Sequence, residues 1–185
     1  MKRKWKLWMI AFVLFVMTDI MMQSNRAEAK KRTFTVSSKT IPCSSSYRQK
    51  PYYNKKTKQY YMINSYMRRL STTGGTLKLK KGTYKIPGTI YVPSNVKIVC
   101  ANGVKIKKTK ATGTKKVKST KFLFQMISEE KASGKQNTGK YAASKNASIQ
   151  GNGKVIFDMG NVNGATAVFV GHASGISVRG GRFRN

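Results

Sequence analysis

The chain has 185 residues, of which 37 are Lys or Arg and 5 are Asp or Glu, a formal charge of +32 at pH 7. Two cysteines and one histidine are too few ligands for a structural zinc site. A surface this basic departs from the usual mixture of both signs. It attracts polyanions and repels itself; the alternative is a protein adapted to an acidic milieu or one balanced by acidic parts elsewhere.

At the N-terminus, Lys2, Arg3, Lys4 and Lys6 form a basic region, residues 7–17 are apolar, and Ala27-Glu28-Ala29 is an A-x-A-like cleavage site. Asp19 interrupts the apolar run before the roughly 18 residues of a membrane span accumulate. Residues 1–29 are therefore expected to be a cleaved secretory signal. The protein is then secreted, free in the extracellular medium or associated with the cell wall, with no stable membrane span. Nucleic acid is the first partner that such basicity suggests. Export argues against it, as does the lack of any helix-turn-helix, zinc-finger or RNP pattern. Anionic polysaccharide or another anionic cell-wall polymer is the expected partner, and no cofactor is implied.

Residues 30–56 are polar and strongly basic, with Pro42, three serines at 44–46 and Pro51. They read as a loop or extended lead-in. Residues 57–71 form the one helix that periodicity supports: Ile63, Tyr66, Met67 and Leu70 recur on one face, and Gly74-Gly75 stops it. A helix placed before a run of strands can cover the open end of a strand solenoid.

From Thr76 the apolar period is two. Leu77 and Leu79 alternate with Lys78 and Lys80, and Val104 and Ile106 with Lys105 and Lys107. Gly82-Thr83, Pro87-Gly88, Pro93-Ser94-Asn95 and Asn102-Gly103 punctuate the strands as turns. Residues 108–120 and 128–146 lack apolar periodicity and read as loops on the scaffold, either specificity-bearing or plain connections.

One phrase repeats: a short alternating strand, a tight Gly/Asn corner, then another short strand, over 96–106, 147–157 and 175–183. Ile98 and Ile149 are 51 apart and Val178 is 29 further on. With Phe122-Leu123-Phe124 counted between the first two, the unit is roughly 24 to 29 residues, which suits a solenoid coil. No helices alternate with the strands, so βαβ units are excluded; a β-sandwich is the competing architecture. The expected fold is mostly β: an incomplete right-handed parallel β-helix of about three to four coils over residues 57–185, with helix 57–71 as its cap. Val168, Val170, Ile176, Val178 and Phe183 would sit on the last coils without a covering neighbour, as in the N-terminal part of a longer protein.

Specific phrases carry a family resemblance. Gly74-Gly75-Thr76-Leu77-Lys78-Leu79-Lys80-Lys81-Gly82-Thr83-Tyr84-Lys85-Ile86, followed by Thr89-Ile90-Tyr91-Val92-Pro93-Ser94-Asn95-Val96, resembles the entry of the pectate-lyase-like right-handed parallel β-helices. Ser148-Ile149-Gln150-Gly151-Asn152-Gly153-Lys154-Val155-Ile156 and Gly171-His172-Ala173-Ser174-Gly175-Ile176-Ser177-Val178 are similar to successive coils of the polygalacturonase-type members. The resemblance implies a protein that acts on or binds polysaccharide, often acidic polysaccharide. If the whole protein is an enzyme, it implies a glycoside hydrolase or polysaccharide lyase. It carries no catalytic site into this stretch.

The residues agree with that last point. Glycosidase chemistry needs two carboxyl groups about 5 to 10 Å apart. After the leader the only acidic residues are Glu129, Glu130 and Asp158. Asp158 and His172 are the remaining catalytic candidates; each has a plainer role, Asp158 at a turn amide near Gly160 and His172 at a coil corner. Calcium wants about six oxygen ligands or more, which leaves no metal site in view. Lys78, Lys80, Lys97, Lys105 and Lys107 are expected to stack as an outer ribbon for an anionic ligand. Arg179, Arg182 and Arg184 are expected to line a groove for carboxylated sugar or simply to face solvent. Tyr52, Tyr53, Tyr60 and Tyr61 offer sugar-stacking faces or pack the cap. Cys43 and Cys100 are either one disulfide or, for Cys100, a small core hydrophobe. Three functions stay open: the N-terminal part of a polysaccharide-degrading enzyme that is inactive by itself, a non-catalytic binder of anionic glycan, and an adhesin-type scaffold.

Overall fold

The computed structural model describes residues 31–134 and 142–185. The expected signal at 1–29 lies outside the described residues, among which no helix is long and apolar enough to cross a membrane.

The fold is mostly β, and every strand pairing is parallel. Sheet I holds β1 (Arg32–Val36), β2 (Gly75–Leu79), β5 (Val96–Cys100), β8 (Ser148–Gly151) and β11 (Ser177–Arg179), in that spatial order. Sheet II holds β3 (Gly82–Ile86), β6 (Val104–Lys108), β9 (Ile156–Asp158) and β12 (Arg182–Arg184). Sheet III holds β4 (Ile90–Tyr91), β7 (Phe122–Gln125) and β10 (Thr166–Phe169). From β2 onward the chain visits sheets I, II and III in rotation three times, then sheets I and II once more.

Alternation sets the core. Successive strand side chains point to opposite faces, so register aligns like with like. Leu77, Ile98, Ile149 and Val178 are register neighbours in sheet I. Tyr84, Ile106, Phe157 and Phe183 are neighbours in sheet II. Ile90, Phe124 and Val168 are neighbours in sheet III. These rows meet in one buried cluster, with Val168 and Val178 packed at its edge and Phe183 outside it. At the last strands the cluster thins, and Phe169, Val170 and Phe183 are exposed.

The corners before sheet I explain the recurring Gly and Asn. Gly74, Asn95, Asn146 and Gly175 have φ of 65°, 59°, 53° and 62°. These are the residue types that enter the left-handed region at least cost. The corners are hydrogen-bonded to one another: Gly75 N–H donates to Asn95 O, Asn95 N–H to Lys145 O, and Asn146 N–H to Ser174 O.

The edge strands of the first circuit are each covered differently. Strand β1 pairs with β2. Helix α2 (Lys58–Leu70), which follows the short α1 (Ser45–Arg48), packs on β2, β3 and β4. Its side-chain amides bond the backbone that a preceding strand would otherwise pair. Gln59 Oε1 accepts from Lys85 N–H at 2.6 Å and its Nε2 donates to Thr83 O at 3.2 Å. Asn64 Oδ1 accepts from Tyr91 N–H at 3.1 Å and its Nδ2 donates to Thr89 O at 3.0 Å. Such partners relieve the cost of unpaired edge groups.

The structure corrects three sequence expectations. The segment 30–56 is not only a lead-in, because β1 extends sheet I and α1 follows it. Thr33-Phe34-Thr35-Val36 does carry a period-two signal, but a short one inside a polar, basic segment. The unit is not a uniform 24 to 29 residues: the step from Ile149 to Val178 fits, but Phe122–Phe124 belongs to sheet III, so it does not repeat Ile98 and Ile149 of sheet I. The circuit between those two isoleucines is lengthened by the segments on either side of β7. Lys108, read as the start of a loop, is the buried last residue of β6.

Candidate functional site

The outer face of sheet II concentrates charge. Lys85, Lys107, Asp158 and Arg184 are register neighbours in one row. Thr83, Lys105, Ile156 and Arg182 form the parallel row beside it. Adjacent strands lie about 4.8 Å apart. Five cations therefore share this face with one carboxylate. An open groove of about 410 Å³ lies at its edge, lined by Gly153, Lys154, Val155, Ile156, Gly180, Gly181 and Arg182.

Asp158 is buried although its strand position faces outward. Lys105 Nζ lies 2.9 Å from Oδ2 and Arg184 Nη2 lies 3.1 Å from the same oxygen. Gly160 N–H donates to Oδ1 at 2.9 Å. The bond from Lys105, with those from Gly160 and Arg184, holds the carboxyl well below its usual range, against the opposing effect of burial. This is a fixed anion that pairs with two neighbouring cations and offsets one of their two charges, and it is far from the raised range a general acid needs.

A folded-state value depressed below the unfolded one gives stability that is present above the unfolded range and lost as pH falls through the folded range. Thermal unfolding between pH 5 and pH 2 should therefore show the wild type losing stability with acid. Asp158→Asn should lose less over the same window. Equal acid slopes in the two proteins would show that Asp158 stores no such stability.

The other two carboxylates are also engaged. Tyr47 Oη donates to Glu129, and Arg68 Nε lies 3.4 Å from Glu130 Oε1. Both glutamates open the short helix α3 (Glu129–Ala132) and join it to the cap. The acidic residues are thus all committed to positions in the scaffold among the described residues.

His172 sits at the corner between β10 and β11, exposed, with φ of 54°. Its carbonyl accepts from Ala143 N–H at 3.0 Å. Asp158 ends β9 at another corner, so the two candidates occupy different corners of the fold.

The structure does not assemble the expected lysine ribbon. Lys78 is a neighbour of Val99, whereas Lys97 is a neighbour of Thr76 and Ser148. The reason is register: the apolar residues align, and the lysine follows Leu77 in β2 but precedes Ile98 in β5. Lys80 lies beyond the end of β2, and Arg179 is on sheet I, in the row of Lys78. The expected set instead divides between two faces: Lys78, Lys97 and Arg179 lie outward on sheet I, and Lys105, Lys107 and Arg182 lie outward on sheet II, where Lys85 and Arg184 join them. Lys85 had a legible signal, its place in the alternating Tyr84-Lys85-Ile86.

The tyrosines pack the cap. Tyr61 lies against Tyr47, Tyr52, Tyr53 and Tyr60 at centroid distances of 6.1, 5.6, 6.3 and 4.7 Å. Lys50 Nζ stands 5.0 Å from the Tyr47 ring centroid. The disulfide alternative also gives way, because both cysteines are free. Cys43 Sγ donates to Ser65 O on α2 at 3.3 Å, while Cys100 is a buried neighbour of Leu79 and Gly151 in sheet I. Burial pushes the Cys100 thiol up to about 12.

Sequence reasoning missed Lys108. Its side chain is buried, and Nζ donates to Pro87 O at 3.2 Å, Gly88 O at 2.5 Å, Thr120 Oγ1 at 3.0 Å and Phe122 O at 2.8 Å. Among the described residues no carboxylate is among its partners. The only signal was positional: Lys108 holds the inward phase of β6 after Val104 and Ile106.

Comparison with protein-family models, with curated proteins and with solved structures finds no match for this chain.

Proposed function

We propose that this is a secreted right-handed parallel β-helix protein of the pectate-lyase-like kind that binds anionic polysaccharide, with no catalytic centre in the described residues. The rotation of the chain through three all-parallel sheets supports the β-helix reading. The strong right-handed preference of parallel crossovers supports the hand. The single observation that carries the binding role is the outer face of sheet II. There Lys85, Lys107 and Arg184 share a row whose one carboxylate is already neutralised by Lys105 and Arg184.

A linear polyanion laid across stacked strands meets these cations at the strand spacing, which matches polymer to surface better than it matches a single small anion. Arg pairs carboxylates in a bidentate manner and Lys supplies point charge. Neutral glycans gain nothing from this field.

The test uses purified protein against polygalacturonate and a neutral glucan. Binding to polygalacturonate that weakens steeply between low and physiological salt is expected, since exposed charges are screened over about 8–10 Å. Release of reducing ends or unsaturated products should stay at background. Equal affinity for the neutral glucan sinks the binding role; measurable turnover that Asp158→Asn abolishes sinks the non-catalytic one.

A further inference from the structure

The segment 109–121 is the most lysine-dense stretch outside the sheets, with exposed Lys110, Lys115, Lys116, Lys118 and Lys121. Nothing in its composition favours order. It has no apolar periodicity, and its own charges repel. Yet its two ends are fastened. Thr109 N–H donates to Ile86 O at 3.2 Å and Thr120 N–H to Pro87 O at 3.0 Å. Asn54 Nδ2 reaches in from before the cap helix to Thr112 O at 3.0 Å.

The Lys108 ammonium sits between these ends. Its four oxygen partners come from the turn after β3 (Pro87, Gly88), from the last part of the segment (Thr120) and from β7 (Phe122). Thr89 Oγ1 joins the same knot, 2.8 Å from Thr120 Oγ1 and 3.2 Å from Phe122 O. A buried cation without an anion is costly unless fully hydrogen-bonded. Here it has more acceptors than its three protons can serve. Burial draws the amine down to about 7, against the oxygens, which favour the charged form.

We propose that Lys108 is a positioning residue for a second polyanion-binding element: its buried ammonium closes the 109–121 segment and presents that segment's lysines as an ordered basic lobe. The lobe leaves sheet II at the end of β6, one residue beyond Lys107 of the cationic row, so one polymer chain can meet both. The inference rests on the polysaccharide-binding reading above and adds a second contact region with its own internal anchor.

The test is made at pH 6, where the wild-type amine carries its charge. Amide hydrogen exchange is followed across 109–121 in wild type and Lys108→Ala, together with polygalacturonate affinity. The variant should lose protection in this segment by tenfold or more and bind polygalacturonate severalfold more weakly. Propylammonium restores the missing stem and charge, so millimolar propylammonium should recover both signals. Propanol should recover neither. If Lys108→Ala does not fold, Thr120→Val is read in its place: it removes one oxygen acceptor and keeps the volume, and segment exchange should rise severalfold.

Unchanged exchange and affinity in the folded variant overturn the proposal, as does equal rescue by propanol. Exchange is read without polymer, which separates the two readings. If wild type does not bind polygalacturonate, the binding role fails. If wild type binds and the opened segment of Lys108→Ala leaves affinity intact, the positioning role fails alone.

Discussion

Phe157→Ala is expected to lower the unfolding free energy by about 3–5 kcal/mol, the range for removing a buried aromatic side chain. Phe157 is fully buried at the middle of the Tyr84, Ile106, Phe157 and Phe183 row. Its ring stacks on Phe183 at 4.9 Å and meets Phe124 of sheet III edge-on at 5.6 Å. It therefore joins two sheets and two successive circuits at once. Neighbouring strands are fixed by their hydrogen bonds and cannot collapse far into the vacated space, so the cavity term stays large. Native stability is only about 5–15 kcal/mol in total. The variant should lose a large part of its denaturant midpoint. A loss below about 1 kcal/mol would mean that the core is not packed through this ring.

The second large effect is expected at Gly75, the first residue of β2 in sheet I. Its φ is 128°, and a Cβ there would lie 2.1 Å from Arg32 O of the paired strand β1. Gly75→Ala therefore combines backbone strain, about 1–3 kcal/mol, with a backbone clash that no rotamer relieves. Strand β1 should leave β2, and hydrogen exchange across residues 32–36 should rise while the later strands stay protected. Retention of full protection at 32–36 would contradict the role assigned to this glycine. The change also tests the cap, because β1 is what covers the outer edge of β2.

Much of the scaffold was legible because its two rules are local. Alternation gave Leu77, Ile98, Ile149 and Val178 their inward phase, and register then aligned these residues as neighbours. Left-handed corners favour Gly or Asn, which made Gly74 and Asn95 visible as punctuation. What failed was relative register between strands. Lys78 and Lys97 look equivalent in sequence, yet one follows and the other precedes its aligned apolar residue, so they fall in different rows. The sheet to which a strand belongs is likewise non-local, which is why Phe122–Phe124 of sheet III reads in the sequence as a repeat of Ile98.

The cationic face was legible only in pieces. Lys105, Lys107 and Arg182 were in view, but their convergence with Lys85 and Arg184 depends on the stacking of circuits. Strand β1 does alternate, as Thr33-Phe34-Thr35-Val36, but with only two apolar residues inside a strongly basic segment. Lys108 was hidden for a chemical reason. A lysine is read as exposed by default, and only the oxygens converging from Pro87, Gly88, Thr120 and Phe122 make its interior position tenable.

The most direct measurement is a comparison of two charge-reversed proteins for polygalacturonate affinity at low and physiological salt. One carries Lys85→Glu and Lys107→Glu on sheet II; the other carries Lys78→Glu and Lys97→Glu on sheet I. Both lose the same charge, so a protein that is merely basic is weakened equally by either. The sheet II face as the binding surface predicts that the first pair lowers affinity by tenfold or more beyond the second and flattens the salt dependence. Equal losses in the two proteins would contradict it.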